Sequence, residues 1–493
     1  MVLPFPNEIW LHIFRGLATE GEYDTLERCG VVCRELHPIA QECLSQNMTF
    51  KSAEEVERIK VDFAGGEMRR WRGPRNVHIE GGDSENGLTI FNATWQAREL
   101  DADAVFRDLA RFASITSLFL YDVILPTILT LGRLVCAFSR LKELSLDSVR
   151  FIQQPFDAST ISQCRLLPRM QLETLTLNTL NNGSAPTPSF VELVSFISAV
   201  SNRICLVTVG NPAQVYIWSA VRMLHLSSIV FPSVATFARL LCAIPSLEGI
   251  SLGWSCTFMK PGFDLRIIPV HPGLPPRLVT LHLDLRMDVG RRSIADLVDF
   301  FITTDIGCQL QDIMIPPCTS LWVTRESDVD LNRLVRHSGQ SLRHLNLDSS
   351  WLIYDSKDMW LLAAQSPAQY FDLSENMCLE RLDLTVDVTN ETRLCPCTPV
   401  VDILSHVTST QMSRIAVLFR PRSNLDADWR TLIVGLPQID DVLSWPIFEN
   451  LAHVSIGVRT WDGLDVGDEE RADELRACLP KLDQRGILGC IFI

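Results

Sequence analysis

The sequence predicts an α/β protein in two parts, a small all-α unit at the N-terminus and then a right-handed α/β solenoid with a parallel sheet on its concave face. Three observations lead there. Apolar residues in the first forty-odd positions recur at helical spacing, a phrase of the form apolar-x-x-apolar-x-apolar recurs through the remainder, and amphipathic segments stand between its copies.

The first element is a helix. Pro6 has no backbone N–H and is tolerated in a first turn, where that donor would be unpaired anyway. Glu8 lies in the same turn, where the helix dipole favours an anion. Ile9, Trp10, Ile13, Phe14 and Leu17 then mark an amphipathic face, and Gly16 with the run Thr19-Glu20-Gly21-Glu22 ends it. A second short helix holds Leu26 and Cys29. A third starts near Val31 or Val32 with Leu36 on the same face, and Pro38 kinks or restarts it before Ile39. Chains of roughly 40 residues rarely hold themselves together without disulfides, metals or a partner. These helices carry apolar residues around most of their circumference, so the excess packs on the following domain or on another protein. The plainer alternative is a helical cap in which Trp10, Ile13, Phe14 and Leu17 are ordinary packing residues.

Residues 1–47 are thus one helical domain, and 48–74 a connecting helix and cap. In the latter, Met48-Thr49-Phe50 reads as a short strand and Ser52-Ala53-Glu54-Glu55 as a capping box that starts a helix through Val56 and Ile59. Asn76 to Glu80 alternates as a strand does.

From 75 to 493 the phrase repeats. Its paired apolar residues are Leu118 and Leu120, Leu144 and Leu146, Leu175 and Leu177, Leu224 and Leu226, Ile250 and Leu252, and Leu281 and Leu283. Ile313 and Ile315, Leu345 and Leu347, and Leu382 and Leu384 continue the series, with weaker copies at Ile415-Ala416-Val417 and Val454-Ser455-Ile456 and a last strand at Ile491-Phe492-Ile493. Spacing is mostly about 26 to 39 residues, the mark of a solenoid. One longer interval, Leu175 to Leu224, has room for an irregular strand at Ile204-Cys205-Leu206-Val207. Helical segments lie at Ala104 to Phe112, Phe190 to Val200, Val234 to Cys242, Ile294 to Phe301 and Val329 to Val335. A doubly wound sheet with shuffled strand order is the alternative, and no second domain boundary is expected inside the repeats.

Composition limits the function classes. With 47% apolar and 21% charged residues the chain has material for a substantial core. A net charge of −15 argues against nonspecific binding to nucleic acid or anionic membranes. No apolar run approaches the length of a membrane span, and the N-terminus is a poor signal peptide. The expectation is a soluble protein of cytoplasm or nucleus. Its 15 cysteines are scattered, and Cys136, Cys205, Cys242 and Cys490 lie in apolar stretches, as reduced buried thiols do.

Catalytic motifs are absent: no phosphate-binding glycine loop, no nucleophile elbow and no His-Glu-x-x-His. Cys395-Pro396-Cys397 with Cys378 and His406 has no common zinc spacing, so no metal and no cofactor are expected. Residues between the inward leucines point to the open face of the sheet. Among them Phe119, Tyr121, Asp147, His225, His282, Asp284, Asn346, Asp348 and Asp383 form a polar, somewhat acidic ribbon with aromatics near its N-terminal end. A solenoid commonly recognises proteins on such a surface, although a merely hydrated face reads the same way. Asp284, Asp348 and Asp383, taken to hold comparable strand positions, favour a basic client segment.

Two stretches resemble known families. Phe5-Pro6-Asn7-Glu8-Ile9, Ile13 and Leu17, followed by Leu26, Cys29, Val32, Cys33 and Arg34, resemble the F-box, which opens Leu-Pro-x-Glu-Leu/Ile and closes Leu-x-x-Cys-x-x-Val-Cys-Arg. Phe5 stands where leucine is usual, and Glu27 where an apolar residue is frequent. The recurring phrase resembles the leucine-rich repeat. Its usual asparagine or cysteine, three residues after the last leucine, is replaced by Val123, Val149, Leu180 and Ile229. The turns must therefore be satisfied by other groups.

The double resemblance implies an F-box protein with leucine-rich repeats. Its F-box would dock a Skp-type adaptor and through it a cullin–RING ubiquitin ligase, while the repeats select a protein substrate. No active site of its own is implied. Carried over by position, the adaptor surface comprises Pro6, Ile9, Ile13, Leu17, Leu26, Val32, Cys33 and Leu36. A repeat scaffold outside any ligase and an unrecognised α/β enzyme are the alternatives.

Overall fold

A computed structural model describes residues 6–19, 22–50, 74–80, 114–125, 127–151, 159, 171–179, 188–201, 218–253, 256–262, 273–284, 291–315, 326–348, 371–388, 395–421, 425–458 and 468–492. The capping box at Ser52 with its helix, the segment Ala104 to Phe112 and the strand Ile204 to Val207 lie outside the described residues. The chain divides into two compact units, 1–247 with 266–275 and 248–265 with 276–493. That division falls inside the repeats. Single cores stop growing beyond roughly 250–300 residues.

The first unit opens with α1 (Asn7–Thr19), α2 (Tyr23–Val32) and α3 (Leu36–Gln46). The Pro6 carbonyl accepts from the N–H groups of Ile9 at 3.1 Å and Trp10 at 3.4 Å. α1 runs through Gly16, which keeps its backbone N–H, and ends at Thr19, where the polar run begins. Val31 and Val32 are not the start of the third helix but the last turn of α2. The third begins at Leu36, where Leu36 and His37 both donate to the Cys33 carbonyl at 3.1 Å. Pro38 consequently falls in a first turn and neither kinks nor restarts the helix. Phe14, Leu26, Leu36, Ile39, Ala40, Cys43 and Leu44 form the core of these helices. A Cβ on Gly30 would stand 3.3 Å from the Ala40 Cβ, so α2 and α3 approach closely there.

Strands follow: β1 (Asn47–Phe50), β2 (Asn76–Glu80), β3 (Ser117–Tyr121), β4 (Ile124–Leu125), α4 (Ile128–Ala137), β5 (Glu143–Asp147), β6 (Arg150–Phe151) and β7 (Thr174–Asn178). The unit continues through α5 (Pro188–Ser201), β8 (Met223–Ser227), β9 (Val230–Ser233) and α6 (Val234–Cys242). Its sheet runs β1-β2-β3-β5-β7-β8, with every neighbour parallel. Register aligns Leu118, Leu144, Leu175 and Leu224 in one buried row and Leu120, Leu146, Leu177 and Leu226 in the next. Each such side chain gains about 1.5–3 kcal/mol by leaving water. Helices start on hydroxyl caps: Thr127 Oγ1 accepts from the Thr130 N–H at 3.2 Å, and Ser233 Oγ from the Thr236 N–H at 3.4 Å.

The turns do without the missing asparagine by a different device. Asp122, Ser148 and Ser228 adopt left-handed φ values of 50°, 55° and 54°. The N–H groups of Asp122 and Ser148 donate to the Asp147 and Asn178 carbonyls on the next strand, at 2.8 and 2.9 Å. The residue that follows, Val123 or Ile229, drops into the core. A backbone bond across repeats thus replaces the side-chain bond, and an apolar residue takes the vacated position.

The second unit holds β10 (Gly249–Gly253), β11 (Thr257–Lys260), β12 (Thr280–Asp284), α7 (Arg291–Thr303), β13 (Asp312–Ile315), α8 (Glu326–Ser338) and β14 (His344–Asp348). Then come β15 (Arg381–Val388), α9 (Thr398–Ser405), β16 (Arg414–Pro421), α10 (Leu425–Leu443), β17 (His453–Val458), α11 (Asp468–Cys478), α12 (Pro480–Gln484) and β18 (Leu488–Phe492). Its sheet runs β10-β12-β13-β14-β15-β16-β17-β18. In each unit the strands follow chain order, without the reversal that a doubly wound sheet contains. Strand entry is bonded identically from repeat to repeat. Val279, Gln311, Arg343, Glu380, Ser413 and Ala452 each donate an N–H to the corresponding carbonyl of the preceding repeat, at 2.7–2.9 Å. Asp440 on α10 is buried and caps α12, accepting from Lys481 and Leu482 N–H at 3.1 and 3.0 Å.

Among the described residues no helix is long and apolar enough to cross a membrane. Every described cysteine is free, and burial pushes the Cys242 thiol up to about 11.

Candidate functional site

Two surfaces stand out. The first is the outer face of α1 and the end of α2. The spacing that sends Phe14 into the core leaves Ile9 and Ile13 on the opposite side, 46% and 40% exposed. At the end of α2, Val31 and Val32 are 82% and 83% exposed. Leu17 and Cys33 are half-buried and Pro6 is exposed. Leu26 and Leu36 are placed otherwise than the resemblance implies, since both face the three-helix core, at 0% and 8% exposure, and present nothing to a partner. Val31 was missed because the register of the third helix was read one turn too early.

The second surface is the sheet face between the buried leucines. In the first unit His78, in register beside Thr49, stacks on Phe119 with ring centroids 4.3 Å apart and planes 12° from parallel. Tyr121, 45% exposed, sits in register between Glu80 and Asp147. Burial holds the His78 imidazole below its usual value, against the pull of Glu80. Burial also raises the Asp147 carboxyl, while hydrogen bonds from Ser148 at 3.0 Å and Asn178 at 2.8 Å oppose the rise. His78 and Glu80 extend the aromatic end by one strand, and their alternation in Asn76 to Glu80 was the available signal. His225 is half-buried beside Thr176.

In the second unit His282 is half-buried between Ser251 and Met314. Asp284 lies opposite Gly253, and Asp348 opposite Thr385, both one position beyond the second leucine. Asp383 is not at a comparable position, because it stands between two leucines and opposite Asn346. Nor is it a free negative charge. Arg381 Nη2 lies 2.7 Å and His344 Nε2 3.0 Å from Asp383 Oδ2, and His344 Nδ1 lies 3.1 Å from Asp312 Oδ1. The carboxylates of Asp312 and then Asp383 beside it raise the His344 imidazole to about 9, against the effect of burial. The acidic ribbon is therefore interrupted here by a cation held between two carboxylates.

Cys395 and Cys397 pack against α10 at Gly435, where a Cβ would come within 2.2 and 2.8 Å of the two sulfurs. Cys378 and His406 do not join them. Among the described residues, the side chains gathered at metal-ligand separation are instead Asp305, Cys308 and His337. Sequence spacing gave no sign of that group, because its histidine belongs to a different repeat from the other two.

No protein-family model matches the chain, and no curated protein matches its sequence.

Proposed function

We propose that this chain is an F-box protein with degenerate leucine-rich repeats, acting as the substrate-recognition subunit of an SCF-type cullin–RING ubiquitin ligase in cytoplasm, nucleus or both. The helices of residues 6–46 dock a Skp-type adaptor through Pro6, Ile9, Ile13, Leu17, Val32 and Cys33, with Val31 added. The repeats are a right-handed solenoid whose concave face binds a protein substrate through Phe119, Tyr121, Asp147, His225, His282 and Asn346. The chain catalyses nothing itself, since ubiquitin transfer takes place on a separate conjugating enzyme.

The observation that supports this reading most is the set Ile9, Ile13, Val31 and Val32, left in water by helices that already enclose a core. Exposed apolar side chains on a unit this small offer a docking surface. Purification of the full chain with a Skp-type adaptor and a cullin tests it, and a stable ternary complex is expected. Adaptor binding without cullin would make the chain a scaffold outside the ligase. No adaptor binding by the folded chain would overturn the proposal.

A further inference from the structure

The donor atoms of Asp305, Cys308 and His337 all lie within 4.8 Å of one another. Cys308 Sγ is 3.2 Å from His337 Nε2 and 3.7 Å from the His337 carbonyl oxygen. The three come from consecutive repeats: Asp305 and Cys308 from the turn and 3-10 helix (Gly307–Gln309) between α7 and β13, His337 from the last turn of α8. The turn is shaped for the ring. Asp305 takes a left-handed φ of 58°, and a Cβ on Gly307 would sit 2.7 Å from His337 Cδ2. The imidazole thus packs against a bare α-carbon and holds Nε2 toward the sulfur. At the next junction an amide links the repeats instead, Asn376 Nδ2 donating to the Val335 and Gly339 carbonyls at 2.9 and 3.3 Å.

A thiolate, an imidazole and a carboxylate are the donors that zinc-class ions take, and hard ions such as magnesium or calcium do not select sulfur. Thiolate and carboxylate together carry the two negative charges that neutralise a dication. Tetrahedral zinc, with bonds of about 2.0–2.3 Å, sets its donors roughly 3.3–3.8 Å apart. The Cys308–His337 pair is already near that separation, and the exposed Asp305 carboxylate lies within 4.8 Å of both other donors. We propose that Asp305, Cys308 and His337 bind a divalent cation of the zinc class, with water in the fourth position, and that the ion staples the turn before β13 to α8. On binding, the Cys308 thiol releases its proton to solvent and its sulfur lone pair forms the bond to the ion. Nothing is oxidised or reduced.

The full-length chain, stripped with a chelator, is titrated with Co2+ and then with competing Zn2+. One equivalent of Co2+ should give a thiolate-to-cobalt charge-transfer band that Cys308→Ser lacks and that Zn2+ abolishes. Because other thiols are present, the wild-type minus Cys308→Ser difference is the signal. Asp305→Asn and His337→Ala should bind at least tenfold more weakly, and Gly307→Ala likewise by displacing the ring. Zn2+ should raise the melting temperature of the wild type but not of Cys308→Ser. Should His337→Ala or Gly307→Ala fail to fold, the exposed substitutions at Asp305 and Cys308 decide. Identical spectra for wild type and Cys308→Ser, or no cobalt band in the wild type, would overturn the proposal.

Discussion

On the three N-terminal helices Ile9, Ile13, Val31 and Val32 are 46%, 40%, 82% and 83% exposed, whereas no phrase leucine or isoleucine from Leu118 to Leu384 exceeds 3%. Apolar residues are plentiful in both regions, so the difference lies in what each has to pack against. A strand of the array finds its cover in helices of its own and adjacent repeats. Three short helices have no next copy, and once Phe14, Leu26, Leu36, Ile39, Ala40, Cys43 and Leu44 have filled their centre, Ile9, Ile13, Val31 and Val32 remain in water. Repetition completes one surface, while the helical unit keeps one open.

The strongest test of that contrast compares the two cores. Leu345 and Leu26 are both 0% exposed, so Leu345→Ala and Leu26→Ala should each cost about 2–5 kcal/mol in urea unfolding, from lost burial and the cavity left behind. Leu26→Ala, where the protein remains folded, should bind a Skp-type adaptor nearly as well as the wild type. A large affinity loss at unchanged stability would put Leu26 on the docking face after all.

Next in size is the outer face. Ile9→Asp combined with Ile13→Asp should change stability by under about 1 kcal/mol, because both side chains are already substantially in water. Adaptor affinity should fall by at least a hundredfold, or about 2.7 kcal/mol, since docking would bury two carboxylates without partners. Calorimetry on both proteins measures it. Unchanged affinity would remove the face from the proposal.

The His344 cluster should contribute less, and in a pH-dependent way. Its imidazole is raised to about 9 by Asp312 and Asp383, above an ordinary value of 6.5. A group raised in the folded state stabilises fully below its unfolded pKa, so this contribution is complete below about pH 6.5 and is lost as pH rises through about 9. For Asp383, burial disfavours ionisation, but hydrogen bonds from His344 and Arg381 outweigh it and leave the carboxyl below 3.8. Its side of the same interaction is present above that ordinary value and is lost as acid passes the lowered one. Wild type should therefore lose on the order of 2 kcal/mol more than His344→Gln between about pH 7 and pH 10. Parallel stability–pH curves for the two would show that the cluster carries no linkage.

How much of this the sequence disclosed depended on whether a feature was local. The phrase Leu-x-x-Leu-x-Leu is local, and its strands appear where its alternation puts them, as do the helices at Phe190, Val234, Ile294 and Val329. What depended on the next repeat was hidden. The missing asparagine could be noted, but the substitute, a left-handed Asp122 or Ser148 bonded to the adjacent strand, requires cross-strand register. The same holds for Asp383, whose charge is matched by His344 on the adjacent strand and by Arg381. It holds too for Asp305, Cys308 and His337, whose meeting depends on two repeats stacking. Within the helical unit, Pro38 lies in the first turn of the third helix and not at a break inside it, and that shift of one turn hid Val31.

The smallest effect concerns the ion pairs that decorate the array, and it separates what holds the repeats from what merely covers them. Lys142 Nζ lies 2.9 Å from Glu173 Oε1 on the next repeat, but the two side chains are 53% and 51% exposed. At that exposure water screens the attraction and two long side chains lose rotamer freedom to make it. The Arg150–Asp122 pair has the same 2.9 Å separation with 34% and 16% exposure, and Asp122 is also the left-handed turn residue. A double-mutant cycle to alanine at Lys142 and Glu173 should give a coupling below about 0.5 kcal/mol that vanishes in high salt. The corresponding coupling between Arg150 and Asp122 should be larger, near 1 kcal/mol, and should persist in salt because it is less hydrated. If the Lys142–Glu173 coupling proved as large as that, surface charge would share with the leucine rows in setting the order of the repeats. The contrast between an array closed by apolar stacking and a helical unit left open would then need an electrostatic component.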